Sequence, residues 1–166
     1  VNMKRVVIVG MGFGGVRAAR ELAGQGVELV LIDRHNYHLF QPLLYQVATA
    51  GLEQESIAYP VRAMARNWPG ARFLLAEVTG AELDAKVLQS SEGTIPYDYL
   101  IVGGGSVPNY FGNESIARHA FDLKKLADAE QLRNHILWAC EKGIAEKDPE
   151  RRRALMTFVI VGGGPT

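Results

Sequence analysis

A short apolar run that leads through spaced glycines into a helical pattern constrains this chain more than any other feature. Val6–Val9 is predicted to be a buried strand, and residues 14–25 place apolar side chains at helical spacing. Between them, Gly10, Gly12 and Gly15 form the pattern G-x-G-x-x-G. Strand, glycine turn and helix in this order begin a βαβ unit, so the sequence predicts an α/β fold built on a parallel sheet with flanking helices.

The spacing of these glycines predicts a dinucleotide site. The first permits a tight turn, the second lets a pyrophosphate approach the backbone, and the third lets the helix pack close to the strand. N–H groups at the start of the helix then point at the phosphates. Asp33 ends the predicted second strand, Glu28–Asp33, where its carboxylate can accept hydrogen bonds from a ribose diol. The pattern therefore indicates a Rossmann-like fold, and it does not separate NAD from FAD.

The middle of the chain departs from a simple series of βα units. Residues 34–51 are loop-like but rich in large apolar side chains, so they are expected to pack inward or to line a ligand. Gln54–Asn67 is predicted to be helical and Arg72–Val78 to be a third strand. An antiparallel β-meander with turns at 84–86 and 91–93 then leads to a strand at Tyr99–Val102. A meander followed by a strand that ends in glycines is the layout of flavoproteins with two dinucleotide sites.

The last third of the chain is predicted to be mainly helical. A long helix spans Asp122 to about Lys147, with Asp122 able to cap its first turn. "EKDPERRR" is expected to be a polar connector, and Thr157–Val161 a final strand. The run "FVIVGGG" repeats the beginning of "VVIVGMG", the strand and turn near the N-terminus.

Charge and cysteine content exclude several classes of function. The 18 basic and 18 acidic residues give a net charge of zero, which argues against a dedicated nucleic-acid surface. The single cysteine, Cys140, excludes an internal disulfide and a paired-cysteine redox centre and indicates a reducing, cytoplasmic setting. His35 and His38 have no evident third ligand, so no metal site is predicted.

Three stretches of the sequence resemble the type II NADH:quinone oxidoreductases, single-chain flavoprotein dehydrogenases that do not pump protons. They are "HLFQPLLYQVATAG", which follows the second strand, "YDYLIVGGGSVPNYFG" and "RRRALMTFVIVGGGPT". The resemblance extends over essentially the whole chain. It implies that FAD is the cofactor, that NADH reduces FAD by hydride transfer, and that a quinone then takes the electrons in a respiratory chain.

The resemblance also implies which residues bind FAD, and it assigns no catalytic side chain. The glycine turn would contact the pyrophosphate, Asp33 the adenosine ribose, and Val78, at the end of the third strand, the adenine. Gln41 and Pro42 would lie near the isoalloxazine, and Gly103–Gly105 near the phosphate–ribityl side. The complete predicted set is Gly10, Gly12, Phe13, Gly14, Gly15, Asp33, Arg34, Gln41, Pro42, Val78, Gly103, Gly104 and Gly105.

The same resemblance sets the expected domains and partners. Residues 1–150 would be the N-terminal portion of an FAD-binding domain, and residues 151–166 the start of a truncated NADH-binding domain, with no cofactor role for Gly162–Gly164. The fragment alone is therefore expected to be inactive. NADH and quinone are the expected partners, nucleic acid is not, and self-association into a homo-oligomer is left open. The full-length protein is expected to be cytoplasmic and peripheral to the inner face of the cell membrane, through residues that follow Thr166.

Two alternatives remain open at this point. One is another flavin reductase of the same superfamily, of the ferredoxin- or rubredoxin-reductase type. The other is a non-catalytic module in which NAD(H) occupies the glycine turn and controls association.

Overall fold

The computed structural model describes residues 3–162, which divide into two compact units. The first unit comprises residues 3–39 and 58–106, and the second comprises residues 40–57 and 107–162. Along the chain the elements are β1 (Arg5–Val9), α1 (Phe13–Leu22), β2 (Glu28–Asp33), β3 (Tyr37–Leu39), a 3-10 turn (Gln41–Leu43), α2 (Leu44–Ala48), a second 3-10 turn (Gln54–Ser56), β4 (Ala58–Pro60), α3 (Val61–Ala65), β5 (Ala71–Leu75), β6 (Val78–Glu82), β7 (Val87–Ser90), β8 (Gly93–Pro96), β9 (Tyr99–Val102), α4 (Glu114–His119), α5 (Leu126–Ala145) and α6 (Pro149–Leu155).

The first unit is built on a four-stranded parallel sheet, which confirms the predicted α/β class. The strand order is β5-β2-β1-β9, and every neighbouring pair is parallel. The chain moves from β1 outward through β2 to β5 and later returns to the other side of β1 as β9. In open α/β sheets such a reversal of direction marks the usual position of ligands, outside the carboxyl ends of the two strands where it occurs, here β1 and β9.

Two hydrophobic cores cover the two faces of this sheet. Successive side chains of a strand point to opposite faces, and β1 follows this rule: Ile8 belongs to one core and Val7 to the other. Ala19 of α1 and Val61 of α3 join the core on the Ile8 side. Leu88 of the antiparallel β6-β7-β8 meander lies on the Val7 side. Helices therefore cover one face of the sheet and the meander covers the other.

Charged side chains connect the amino ends of the four parallel strands. Asp98, just before β9, accepts hydrogen bonds from Lys4 Nζ at 2.7 Å and from the backbone N–H of Arg5 at 2.8 Å. Glu28 of β2 accepts from Arg5 Nε at 2.8 Å and from Arg72 Nε of β5 at 3.4 Å. The hydrogen bond from Arg5 is the main reason that the pKa of Glu28 lies below its ordinary value. This row of charges lies at the end of the sheet opposite the predicted site.

The second unit is mainly helical. Helix α2 packs against α5, and α5 packs against α6, with Leu44, Val47, Leu126 and Ala129 among the buried residues. The predicted polar connector is wrong over most of its length, because residues 149–155 form α6. Asp148 caps this helix by accepting from the N–H of Glu150 at 2.9 Å, and Pro149 occupies the first turn, where no hydrogen-bond donor is needed.

Four further predictions of secondary structure are wrong in part. Gln54–Asn67 is not one helix, because β4 runs up to Pro60 and α3 begins after it. The third strand ends at Leu75, so Val78 begins β6 instead of ending the third strand. Asp122 does not cap α5; it accepts a hydrogen bond from the Tyr110 hydroxyl, which raises the pKa of that tyrosine. The carboxylate of Asp128 accepts from the N–H of Lys125 at 2.9 Å at the helix start.

The fourth concerns Thr157–Val161, which form no strand. A strand is stabilised by hydrogen bonds to a neighbouring strand, and none of the strands within residues 3–162 pairs with this segment. Of the glycines that follow it, Gly163 and Gly164 lie outside the described residues. Among the described residues, no helix combines the length and the apolar character needed to cross a membrane.

Candidate dinucleotide site

The glycine turn follows β1 and packs against the end of β9. Gly10 has a φ of +92°, a conformation that favours glycine, and its N–H donates to the carbonyl oxygen of Ile32 at 2.7 Å. A Cβ added to Gly10 would lie 2.3 Å from the carbonyl oxygen of Gly103. Gly103 is itself held by its N–H, which donates to Val9 at 2.7 Å. The carboxyl ends of β1 and β9 therefore meet through backbone atoms, with no room for a side chain at Gly10.

The start of α1 is arranged as the sequence predicts. A Cβ on Gly15 would lie 1.8 Å from the carbonyl oxygen of Gly10, so the close packing of helix on strand that the third glycine was expected to allow is confirmed. Gly12 precedes the helix, and a Cβ on Gly12 or Gly14 would meet nothing within 4 Å. Val16 is the first residue whose N–H bonds back to Gly12, at 3.0 Å. Gly12 and Gly14 thus border open space at a helix start, where backbone N–H groups without a partner in the helix suit an anion.

Asp33 holds the glycine turn in place. One carboxylate oxygen accepts from the N–H of Met11 at 2.6 Å, and the other accepts from the N–H of His35 at 2.8 Å. Each oxygen has a second lone pair, so the group can still accept from a hydroxyl. The ribose contact stays a prediction, whereas the structural role of Asp33 is directly visible.

His38 contacts the glycine turn, although the predicted set of cofactor-binding residues does not contain it. Its Nδ1 lies 2.9 Å from the carbonyl oxygen of Met11, and its ring makes a T-shaped contact with Phe13, with centroids 5.2 Å apart. The side chain reaches the turn because Tyr37–Leu39 pairs with Ala58–Pro60 as a small antiparallel sheet. The sequence carried no signal for this pairing, since its two strands are three residues long and separated by 18 residues.

The other predicted residues of the first unit border the same end of the sheet. Arg34 is exposed immediately after β2. The N–H of Ala76, just past β5, donates to the carbonyl oxygen of Asp33 at 3.0 Å. This bond places the short segment between β5 and Val78 beside the end of β2. Gly104 and Gly105 are exposed beyond β9. The structure thus brings together most of the predicted set at one edge.

Gln41 and Pro42 belong to the second unit. The side-chain Nε2 of Gln41 donates to the carbonyl of Lys124 at 3.1 Å, and Pro42 is exposed. Their predicted place beside an isoalloxazine stays a prediction.

The second unit also carries an open groove of about 490 Å³. His135 and Trp138 of α5, Arg151 of α6 and Phe158 are among the residues that line it. No predicted site residue lies in this groove, and it contains neither a glycine turn nor the carboxyl end of a parallel strand. The glycine turn of the first unit is therefore the better candidate for a dinucleotide. Within residues 3–162, no cluster of three His, Cys, Asp or Glu side chains could hold a metal ion.

The fold and the glycine turn together define a dinucleotide-binding α/β protein. Comparison with known families identifies the family: residues 4–166 match the one described as pyridine nucleotide-disulphide oxidoreductase. The match covers nearly the whole chain, and the chain belongs to this family.

Individual relatives agree with the resemblance seen in the sequence. The chain is 45% identical over 166 residues to the type II NADH:quinone oxidoreductase Ndh of Mycobacterium tuberculosis, covering 98% of this chain and 36% of the relative. It is 34% identical over 177 residues to the mitochondrial external alternative NADH-ubiquinone oxidoreductase of Yarrowia lipolytica, covering 99% of this chain and 30% of the relative. The chain thus spans about a third of the length of the relatives it matches.

A solved structure shows the same fold. The NDH2 of Plasmodium falciparum in complex with NADH superimposes with a TM-score of 0.82 at 23% identity, over 92% of this chain and 32% of that one. At this level of identity the likeness concerns the fold alone.

Proposed function

We propose that this chain forms the FAD-binding part of an NADH:quinone oxidoreductase. The observation that carries the proposal is the contact of Gly10 with Gly103 at the carboxyl ends of β1 and β9, where an added side chain would collide with the backbone. This contact lies at the point where the strand order reverses, which is the usual position of ligands in open α/β sheets. The names and sequence identities of the mycobacterial and yeast relatives support the reaction class.

Each residue of the predicted site has a definite part in this proposal. The first turn of α1 and Gly12 hold the pyrophosphate through backbone N–H groups. Asp33 accepts from the adenosine ribose while it keeps Met11 in place. Arg34 and Val78 border the adenosine, Gly103–Gly105 border the ribityl chain, and Gln41 and Pro42 line the isoalloxazine. Bound FAD supplies hydride acceptance and electron transfer, and the protein supplies position and electrostatics.

The partners and location follow from the same function. NADH is the electron donor and a quinone is the acceptor, and neither requires a nucleic-acid surface. Because respiratory quinones dissolve in lipid, we propose that the full-length protein works at the inner face of the cell membrane as a peripheral protein. Residues 1–150 would belong to the FAD-binding domain, and residues 151–166 would begin an NADH-binding domain. Self-association into a homo-oligomer is compatible with this arrangement.

The test uses the natural full-length protein that carries this chain. Purified protein should be yellow, should release FAD on denaturation, and should oxidise NADH when a soluble quinone is added. If the protein is yellow but reduces rubredoxin or ferredoxin and does not reduce quinone, its electron acceptor is an iron or iron–sulfur protein and the proposed acceptor is wrong. A colourless protein that binds NAD(H) without turnover would indicate a sensing module instead.

A separate measurement tests the division of labour between the segments. Residues 1–166 alone, mixed with NADH and a soluble quinone, should show no turnover above that of free FAD. Turnover at the rate of the full-length protein would contradict the proposed domain assignment.

A further inference from the structure

Each of the two peptides that flank Met11 is held by one side chain from outside the glycine turn. Asp33 accepts from the N–H of Met11 at 2.6 Å, and His38 Nδ1 lies 2.9 Å from the Met11 carbonyl oxygen. The side chain of Met11 is fully buried in the core under α1. Residue 11 is therefore fixed at its donor, its acceptor and its side chain.

The chemistry of this contact defines the state of His38. A carbonyl oxygen only accepts hydrogen bonds, so Nδ1 must carry the proton and donate. Both the neutral Nδ1–H form and the doubly protonated ring can donate in this way. The T-shaped contact with Phe13 at an interplanar angle of 89° supports the ring from the other side of the turn.

Holding this carbonyl also sets the direction of the next N–H. The peptide between Met11 and Gly12 is planar and trans, so its C=O and N–H point in opposite directions. With the carbonyl turned toward His38, the N–H of Gly12 points away from it. No residue among 3–162 is found to accept a hydrogen bond from this N–H, and a Cβ at Gly12 would meet nothing within 4 Å.

We propose that His38 is a positioning residue of the dinucleotide site: by donating from Nδ1 to the Met11 carbonyl, it orients the Met11–Gly12 peptide so that the Gly12 N–H faces the pyrophosphate. The inference rests on the proposed function, since it requires a dinucleotide at the glycine turn. His38 acts through Met11 and does not itself touch the ligand.

The inference separates two roles that a single motif combines. The glycines create the space, and they leave the orientation of the peptide between them free, because glycine adopts many conformations. Asp33 restrains one side of residue 11 and His38 restrains the other. An N–H that is already oriented before the ligand arrives loses less conformational freedom on binding.

The experiment uses the natural full-length protein from which bound flavin has been removed. Its affinity for added FAD is measured from the quenching of flavin fluorescence. His38→Phe keeps an aromatic ring against Phe13 and removes the donor. It should weaken FAD binding about tenfold, because binding must then orient the Met11–Gly12 peptide that one hydrogen bond orients in the wild type. His38→Asn places an amide N–H where Nδ1 was, and it should restore most of the affinity. His35→Asn is the matched control, because only the backbone N–H of His35 contacts Asp33; it should leave affinity unchanged.

The melting temperature of the flavin-free protein separates positioning from a purely structural role. The rescue by Asn should appear in FAD affinity to a greater degree than in melting temperature. Equal FAD affinity of wild type and His38→Phe, or equally weak binding by His38→Phe and His38→Asn, would overturn the inference. His38→Leu is a second donor-free variant, so the outcome does not depend on the folding of one protein. If the wild-type protein binds no FAD, the proposed function is overturned together with this inference. The variant results named above would overturn the inference alone and leave the proposed function standing.

Discussion

The two ends of the parallel sheet are held by different chemistry. At the amino ends, side chains form a row of ion pairs in which Arg5 and Glu28 join the neighbouring strands β1 and β2. At the carboxyl ends, the contacts are between backbone atoms, as where Gly10 meets Gly103, or between a carboxylate and the backbone, as where Asp33 meets Met11. One end is joined by groups that remain in contact with water, and the other by groups that leave no room for a side chain.

This difference explains why the carboxyl ends are the better candidate for a site. Ion pairs that are partly exposed satisfy each other and leave few unused donors. The glycine turn instead brings strand and helix into contact while the first turn of α1 keeps N–H groups directed outward. The tight packing at this end should make it intolerant of added atoms, whereas the charged end should tolerate the loss of any one partner.

The largest effect is expected from Gly15→Val. Its side chain would begin 1.8 Å from the carbonyl oxygen of Gly10, a backbone atom that cannot move without displacing β1 or the turn. We expect a loss of about 3 kcal/mol in the free energy of unfolding, measured by urea denaturation, together with loss of FAD binding. Gly14→Ala on the same helix is the control: its Cβ meets nothing within 4 Å, and stability should be equal or higher. Comparable stability of Gly15→Val and wild type would show that this end of the sheet is not tightly packed.

The next largest effect is expected from Asp33→Ala. The N–H groups of Met11 and His35 both lose their acceptor, and the partly buried Met11 contact should account for most of a loss of about 1–3 kcal/mol in unfolding free energy. Asp33→Asn keeps one oxygen acceptor, so its unfolding free energy should lie between those of the wild type and Asp33→Ala. Chemical denaturation gives the ranking, and an Asn variant no better than Ala would mean that the charge matters more than the acceptor.

A smaller, pH-dependent effect is expected at the charged end from Glu28→Gln. The Arg5 hydrogen bond lowers the pKa of Glu28 in the folded protein, so its stabilisation is present above the unfolded pKa and is lost as pH falls through the folded value. At pH 7 the variant should be less stable by under about 1 kcal/mol, since the pair is partly exposed.

Melting temperatures taken from pH 7 down to about pH 3 should show the two proteins converging below the ordinary glutamate pKa of about 4.3. A constant difference across this range would contradict a role for the ionised carboxylate.

The smallest effect is expected from Lys4→Met. The ammonium of Lys4 pairs with Asp98 but is largely exposed, so salt screens the interaction. Melting temperature at physiological salt should be nearly unchanged. Asp98→Ala is the informative counterpart, because it also removes the acceptor for the backbone N–H of Arg5 and should lower the melting temperature more. The reverse order would assign the main contribution to the exposed ion pair.

The fold of the first unit was predictable to a large extent from local patterns. The apolar runs predicted β1 to within one residue, as 6–9 where the structure has 5–9, and β2 at 28–33, and the glycine spacing located the start of α1. Predictions became wrong where short elements depend on a partner distant in sequence. β3 and β4 have three residues each and form only because they pair with each other. The third strand was predicted too long, because no glycine or proline separates the end of β5 at Leu75 from Val78, the first residue of β6.

The candidate site shows the same limit at the level of single side chains. Gly15 and Asp33 could be identified because their contacts lie within one βαβ unit, and Gly10 because the turn after β1 calls for a glycine. His38 could not, because its contact with Met11 depends on the β3–β4 pairing. Asp122 illustrates the opposite error: a residue suited to capping a helix instead accepts a hydrogen bond from Tyr110.

The sequence by itself determined the class of this protein, because the order of strand, glycine turn, helix and strand permits few packed arrangements and reserves space for a pyrophosphate. Only the tertiary structure decided how that space is held open. The contact of Gly10 with Gly103 joins residues that are far apart in the sequence of the first unit. The hydrogen bonds of Met11 with Asp33 and His38 join the turn after β1 to two later segments. Local periodicity reports which face of an element is apolar. The choice of partners across the chain depends on packing and hydrogen bonding that exist only after the chain has folded.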